Sequence, residues 1–339
     1  MRLGIKLSLA SVIDRSGLVT ALRRFRSTRS GIVLTFHRVL PQASIDTCYE
    51  RQIAMTDTVF EQLLILLQRE FRVVPLQQLV ESQGSLDGLQ RVALTFDDGW
   101  EDTYSLAYPL MLRYGVPATV FICPGLMGTN RLLPEERFVR IWRSCKSREQ
   151  LHLLQNDLRK WTTCNSSSLE MHFWARRLKQ LPMDAKHMML AHLEDIYRVA
   201  GDGVRRFMTW DEARIMANNG MTFGSHTMNH STLKVEQPEH IMEDLVSSRQ
   251  MIARKLGREI TQLAYPNGGY DHRVIELAAE AGYSYGLTTD NGYVTRYTRP
   301  LSIPRISMAD AVVTDERTSL HFPRTRVYLQ RFSDKSART

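Results

Sequence analysis

Two carboxylates stand side by side in VALTFDDGW, where Asp97 and Asp98 follow a run of apolar and β-branched residues that ends in an aromatic. Charges this close repel, so a strand ending on them needs a bound cation, a shared proton or exposure to water. A second stretch, FGSHTMNHSTL, offers two imidazoles, His226 and His230, four residues apart and directly after a strand-like run. At that spacing both can converge on one cation if the intervening turn is helical, and two histidines with one carboxylate make a common open metal site. An isolated HxxxH is more often a pair of unrelated loop histidines. Here the pair ends a strand of the same expected sheet as the aspartates. One aspartate can then ligate a cation while its neighbour takes the proton of an activated water.

That convergence requires parallel strands, whose carboxyl ends share one face. From residue 31 short apolar runs alternate with helical patterns, as a parallel sheet demands. GIVLTFHRV delivers His37 at its end, RVALTF leads to the aspartates, and PATVFI, MTFGSH, ITQLAYP, YSYGLTT and LSIPRIS follow in turn. Between them lie TDTVFEQLLILLQREF, YSLAYPLMLRYG, WDEARIMANNG with Thr209 as N-cap, a long helix ending at Gly257, and DHRVIELAAEAG. Right-handed crossovers wind these seven or so units into a barrel or an open doubly wound sheet. Residues 126 to about 206 break the rhythm with three or four helical patterns and no strand. They read as a helical insertion on the face where functional loops gather. Its Trp142, Trp161, Phe173 and Trp174 are expected in a core rather than stacked on a sugar, and His187 and His192 in packing or at the surface.

The net charge of the 339 residues is +8 and sits at the ends. Residues 1–30 carry +6, with Asp14 the only acid, and residues 324–339 carry +4, leaving −2 for residues 31–323. A nucleic-acid groove across the body has no electrostatic support. The expected organisation is a basic N-terminal arm (1–30), a barrel (31–323) and a basic C-terminal tail (324–339). In the arm, Lys6, Asp14 and several arginines argue against a cleaved signal segment. Leu18, Leu22 and Phe25 recur at helical spacing beside Arg15, Arg23 and Arg26. That pattern suits either a basic amphipathic helix on an anionic membrane or a helix packed on the domain. No apolar run reaches the ~18 residues of a membrane span. Four cysteines without close spacing point to a reducing compartment, hence to a cytoplasmic protein with peripheral contact at the inner membrane face.

LTFDDGW, GSHTMNH and AYPNGGYD, in that order and each after a strand, resemble the first three motifs of the polysaccharide deacetylases, the NodB-homology or carbohydrate esterase family 4 enzymes. LTFHRV resembles the first strand of that family's exopolysaccharide branch. The resemblance covers about residues 31–125 and 205–307. It implies an α/β fold, a distorted (β/α)7 TIM-like barrel, here with a helical insertion. It also implies Asp97 as general base, Asp98, His226 and His230 as ligands of a divalent metal, usually Zn2+, and Tyr265, Pro266 and Asn267 as a groove wall whose backbone helps to stabilise the oxyanion. His37 falls where it could hydrogen-bond the site or be a buried, backbone-satisfied histidine. Two features depart from the family. Gln262 stands where an arginine often pairs with the base, and Arg305 in SIPRIS is the candidate replacement. The late Leu-x-His that supplies the general acid is missing, which leaves His37, the activated water or protonated Asp97. The implied activity is metal-dependent removal of acetyl from an N-acetylated sugar in a poly- or oligosaccharide, free or lipid-linked. The alternatives are an amide or O-acetyl ester hydrolase with another substrate, and a non-catalytic carbohydrate-binding or membrane-docking barrel.

Overall fold

SGIVLTF and RVALTF form β1 (Ser30–Phe36) and β2 (Arg91–Phe96), buried along their whole length. Strands apolar on both faces are those of a parallel sheet covered on both sides. The computed structural model describes residues 2–27, 29–45, 48, 51–81, 88–162, 164, 166–315 and 319–330. Arg331, Asp334, Lys335 and Arg338 of the expected C-terminal tail lie outside them. The sheet continues through β3 (Ala118–Ile122), β4 (Thr222–Ser225), β5 (Gln262–Ala264), β6 (Tyr285–Leu287) and β7 (Ile306–Ser307). Neighbours follow chain order and every pairing among these strands is parallel. Closure decides between barrel and open sheet. Ile303 bridges Leu287 of β6, and three residues later Ile306 pairs with Leu34 of β1. One short segment thus joins the last strand to the first, giving an irregular seven-stranded barrel.

Register explains why the site residues meet. Phe36 pairs with Phe96, so the next residues, His37 and Asp97, leave adjacent strands at one level, and the Asp97 N–H donates to the Phe36 carbonyl at 3.0 Å. Beneath them the Phe36 and Phe96 rings stack at 5.2 Å.

The longer helices are α1 (Arg2–Arg15), α2 (Leu18–Ser27), α3 (Asp57–Glu70), α4 (Pro134–Ser144), α5 (Arg148–Thr162), α6 (Met171–Leu178), α7 (Met183–Ile196), α8 (Trp210–Asn218), α9 (Pro238–Leu256), α10 (His272–Glu280) and α11 (Phe322–Gln330). Thr56 caps α3 by accepting from the Val59 N–H, and the helix buries Phe60, Leu63, Leu64 and Leu67 against the sheet. Thr209 caps α8 in a reciprocal box with Glu212, and Gly257 ends α9 at φ 65°. Helices α4–α7 are the insertion. They have their own core of Phe138, Ile141, Leu154, Leu158, Trp174 and Leu190, with Trp142, Trp161 and Phe173 packed at its margin. The insertion's aromatics therefore serve packing. At the N-terminus α1 and α2 lie against α11. Arg23 pairs with Glu70, Arg326 with Asp14 and Glu70, and Arg26 donates to Tyr293 Oη and the Gln330 carbonyl. Of the two expectations for the N-terminal helix, packing on the domain is what these contacts describe.

Candidate metal centre and active site

β2 ends at Asp97, and Asp98 turns away from it at φ 74°, followed by Gly99 at φ 81°. A Cβ on Gly99 would stand 2.9 Å from Ile122 Cγ2, so only glycine lets the turn pass β3 this closely. β4 ends at Ser225, and the residues after it carry both imidazoles. The turn from His226 to His230 is not helical. Thr227 and His230 adopt φ 61° and 65°, and side chains replace the missing helical acceptors. Thr227 Oγ1 accepts from the Ser231 N–H, and Asp244 accepts from the Met228 N–H at 2.5 Å and from Ser231 Oγ at 2.8 Å. Four of the five non-glycine residues with positive φ among those described, Asp98, Thr227, His230 and Asn267, belong to these turns and to the PNG turn after β5. Such strain costs on the order of 1–3 kcal/mol per residue and persists where surrounding contacts enforce it.

The turns bring Asp98 Oδ1 within 3.3 Å of His226 Nε2 and 3.5 Å of His230 Nε2. All three groups are buried and their ligand atoms lie within 4.8 Å of one another. Bonds of about 2.0–2.2 Å at a tetrahedral centre would separate ligand atoms by roughly 3.4 Å. The donor set fits a divalent cation, and Asp98 Oδ1, buried without a hydrogen-bond partner, is the acceptor one would satisfy. His226 Nδ1 lies 2.8 Å from the Ala264 carbonyl, which fixes the proton there and leaves Nε2 free to ligate. Trp100 Nε1 donates to Asp98 Oδ2 at 2.8 Å and holds the other carboxylate oxygen.

Asp97 has a different partner. Arg305, 1% exposed, donates to both of its oxygens at 2.7 Å and is itself held by the Thr288 carbonyl at 2.9 Å. Arg305 thus occupies the position opposite Asp97, while Gln262 lies buried in β5. Burial alone would raise the Asp97 carboxyl, but the Arg305 guanidinium, together with His226 and His37, keeps the group below its usual range. Burial likewise opposes ionisation of Asp98, and the facing imidazoles of His226 and His230 bring it well below that range. Burial pushes His230 down to about 4 and also lowers His37, so both imidazoles are neutral near pH 7. His226 is raised in spite of burial, by Asp97 and Asp98. His37 Nε2 lies 4.0 Å from Asp97 Oδ2.

A cavity of about 250 Å3 opens onto these groups, lined by His37, Asp97, Asp98, His226, His230, Tyr265, Asn267 and Arg305. Pro266 starts the turn that presents Asn267. The Tyr265 N–H is engaged with the Leu287 carbonyl at 3.0 Å and its hydroxyl with the Leu301 carbonyl. Side chains absent from the sequence-based set also line the wall, Glu135 and Lys179 of the insertion among them. Of the seven buried side-chain atoms without a hydrogen-bond partner among the described residues, five belong to residues that line this cavity, Thr35, His37, Asp98, Glu135 and His230. A larger cavity of about 480 Å3 lies beyond Arg38, where Arg38–Asp102 and Arg206–Glu136 pairs already neutralise one another. The unsatisfied groups single out the smaller one.

Residues 87–286, more than half of the chain, match the sequence profile described as polysaccharide deacetylase. The chain belongs to this family. YxkH of Bacillus subtilis, itself named as a candidate polysaccharide deacetylase, is 21% identical over 205 residues, 60% of this chain and 47% of that one. The poly-β-1,6-N-acetyl-D-glucosamine N-deacetylase of Staphylococcus aureus is 22% identical over 219 residues, 65% of this chain and 54% of the enzyme. The chain spans about half the length of these curated relatives. Among solved structures, IcaB from Ammonifex degensii superposes with a TM-score of 0.54 at 18% identity, covering 89% of this chain and 97% of that one. The Streptococcus pyogenes deacetylase PplD, solved with acetate, gives 0.54 at 18%, covering 83% and 92%. This likeness establishes the (β/α)7 deacetylase fold.

Proposed function

We propose that this chain hydrolyses the acetamide of an N-acetylated sugar within a poly- or oligosaccharide, using a divalent cation held by Asp98, His226 and His230. The observation that carries this reading is the division between adjacent carboxylates: Asp98 faces two imidazole nitrogens, and Asp97 faces a bidentate arginine. Two nitrogens and one oxygen suit zinc among the common divalent ions. Bound there, the cation supplies Lewis acidity to an acyl carbonyl and acidifies water. Asp97, kept ionised by Arg305, accepts the proton of the attacking water at a carboxylate oxygen. Cleavage of the amide then requires a proton at the departing nitrogen. His37 Nε2, 4.0 Å from Asp97 Oδ2 and neutral, is the group we assign to receive that proton and pass it on. Tyr265 and Asn267 form the wall against which the sugar would rest. The printed name of the Staphylococcus aureus relative supports N-acetylglucosamine polymers as the first substrates to try. The test is acetate and free-amine release from N-acetylglucosamine oligomers and from lipid-linked precursors, with and without chelator. Zinc bound through the triad, with no acetate released from any N-acetylated glycan, would reject the substrate class and keep the metal centre.

We also propose peripheral contact of α1 and α2 with an anionic membrane. Leu9, Val12, Leu18 and Phe25 are 54–65% exposed, beside exposed Arg15, Arg24 and Arg29.

A further inference from the structure

The insertion enters the active site through the first turn of α4. LPEERF starts a helix with Pro134 at its first position and two acids behind it, and Glu135 is 4% exposed. Its two oxygens face two donors. Oε1 accepts from Asn267 Nδ2 at 3.3 Å, and Oε2 lies 3.8 Å from His230 Nδ1. Both members of the second pair, Glu135 Oε2 and His230 Nδ1, are buried and neither has a hydrogen-bond partner. Two unsatisfied groups of complementary type, about 1 Å beyond hydrogen-bond distance, are poised to close on one another. His226 has its Nδ1 partner in the backbone of β5, whereas among the described residues no group hydrogen-bonds His230 Nδ1.

We infer that Glu135 is the positioning residue of the metal centre: it accepts the His230 Nδ1 proton, fixes the tautomer that frees Nε2, and ties cation binding to the helical insertion. This rests on the metal-centre reading above. A cation at Nε2 places the ring proton on Nδ1, and a carboxylate there raises the basicity of the ligand. A carboxylate is required because both of its faces meet donors. A glutamine offers one acceptor, so its amide group would confront either Asn267 Nδ2 or His230 Nδ1. Behind Glu135 stands Lys186 of α7, 1% exposed and held in the field of Glu135 and Glu236. The insertion therefore brings in the carboxylate and a cation to balance it.

The experiment is Zn2+ affinity by competition with a chromogenic chelator on the full chain, for wild type, Glu135→Gln, Glu135→Asp and His226→Ala. Glu135→Gln should weaken binding by about 10- to 100-fold, the usual effect of removing such a partner. Glu135→Asp, which keeps two acceptors, should recover part of the loss. Unchanged affinity in Glu135→Gln, with His226→Ala much weakened, overturns the inference alone. Unchanged affinity in His226→Ala rejects the metal centre and this inference with it. An NMR measurement on the zinc-loaded wild type does not depend on any variant folding. The His230 Nδ1 proton should be observable and slow to exchange, and a rapidly exchanging proton overturns the assignment.

Discussion

Asp97 and Asp98 are consecutive in the chain and differ in every contact. If Asp97 accepts the proton as proposed, Asp97→Asn should keep zinc while turnover falls by about 10² to 10⁴, the usual cost of losing a general base. Asp98→Asn removes the only anionic member of the triad, so zinc affinity should fall first and excess zinc should restore part of the activity. Zinc content after dialysis and initial rates over a zinc titration separate the two, and identical behaviour would mean that both carboxylates ligate. Arg305→Met leaves Asp97 buried without its guanidinium partner. Breaking a buried pair from one side costs about 3–5 kcal/mol, to be seen as a lower urea midpoint. A midpoint within error of wild type would show that the pair contributes nothing to folding. These residues were legible in the sequence because each stands in a short motif at a strand end, or, for Arg305, because one arginine stood at the end of the last strand. Trp100 and Glu135 were not. Their roles come from tertiary approach: an indole N–H that reaches back two residues, and a carboxylate that arrives on a helix from outside the barrel.

At the scale of elements, the turn that carries the imidazoles depends on α9. Asp244 receives the Met228 N–H and the Ser231 hydroxyl, and burial pushes its carboxyl up to about 6 despite those donors. The folded chain thus holds a proton on Asp244 that the unfolded chain releases near 4. Stability through this group is greatest below about pH 4 and falls as pH rises to about 6, where the buried carboxylate ionises. The full difference is about 3 kcal/mol. Urea midpoints of zinc-free protein at pH 4 to 7 should show Asp244→Asn gaining relative to wild type across that window, and parallel profiles would refute it. The seven strands were visible as apolar runs bounded by polar turns, and α3, α8, α9 and α10 as periodic faces with recognisable ends. The spacing of His226 and His230 allowed convergence on one cation if the turn between them were helical, and the structure achieves it with a left-handed turn instead. The left-handed turn escaped notice because Thr227 and His230 carry no glycine signal, and the acceptors that stabilise it, Thr227 Oγ1 and Asp244, are side chains.

For the whole molecule, charge counting overstated the N-terminal arm. Arg23 and Arg26 are engaged within the chain and Asp14 is paired with Arg326, which leaves Arg15, Arg24 and Arg29 exposed beside apolar side chains. At about 1 kcal/mol per basic residue near an anionic surface, contact should be weak and salt-sensitive. Sedimentation with phosphatidylserine vesicles should fall when these three are changed to Glu, and unchanged sedimentation would assign the arm to packing alone. The barrel units were legible from their count and order, but their closure came only with the family resemblance, because residues 303–307 supply one isolated bridge and a two-residue ladder. That closure has a consequence for biosynthesis. Arg305 is on the closing segment, so a nascent chain can display both aspartates and both imidazoles while the partner of Asp97 is still inside the ribosome. Hydrolytic competence should therefore appear abruptly, only after residue 305 has emerged and docked against β1, and arrested chains stopped short of it should fold in part and cleave nothing.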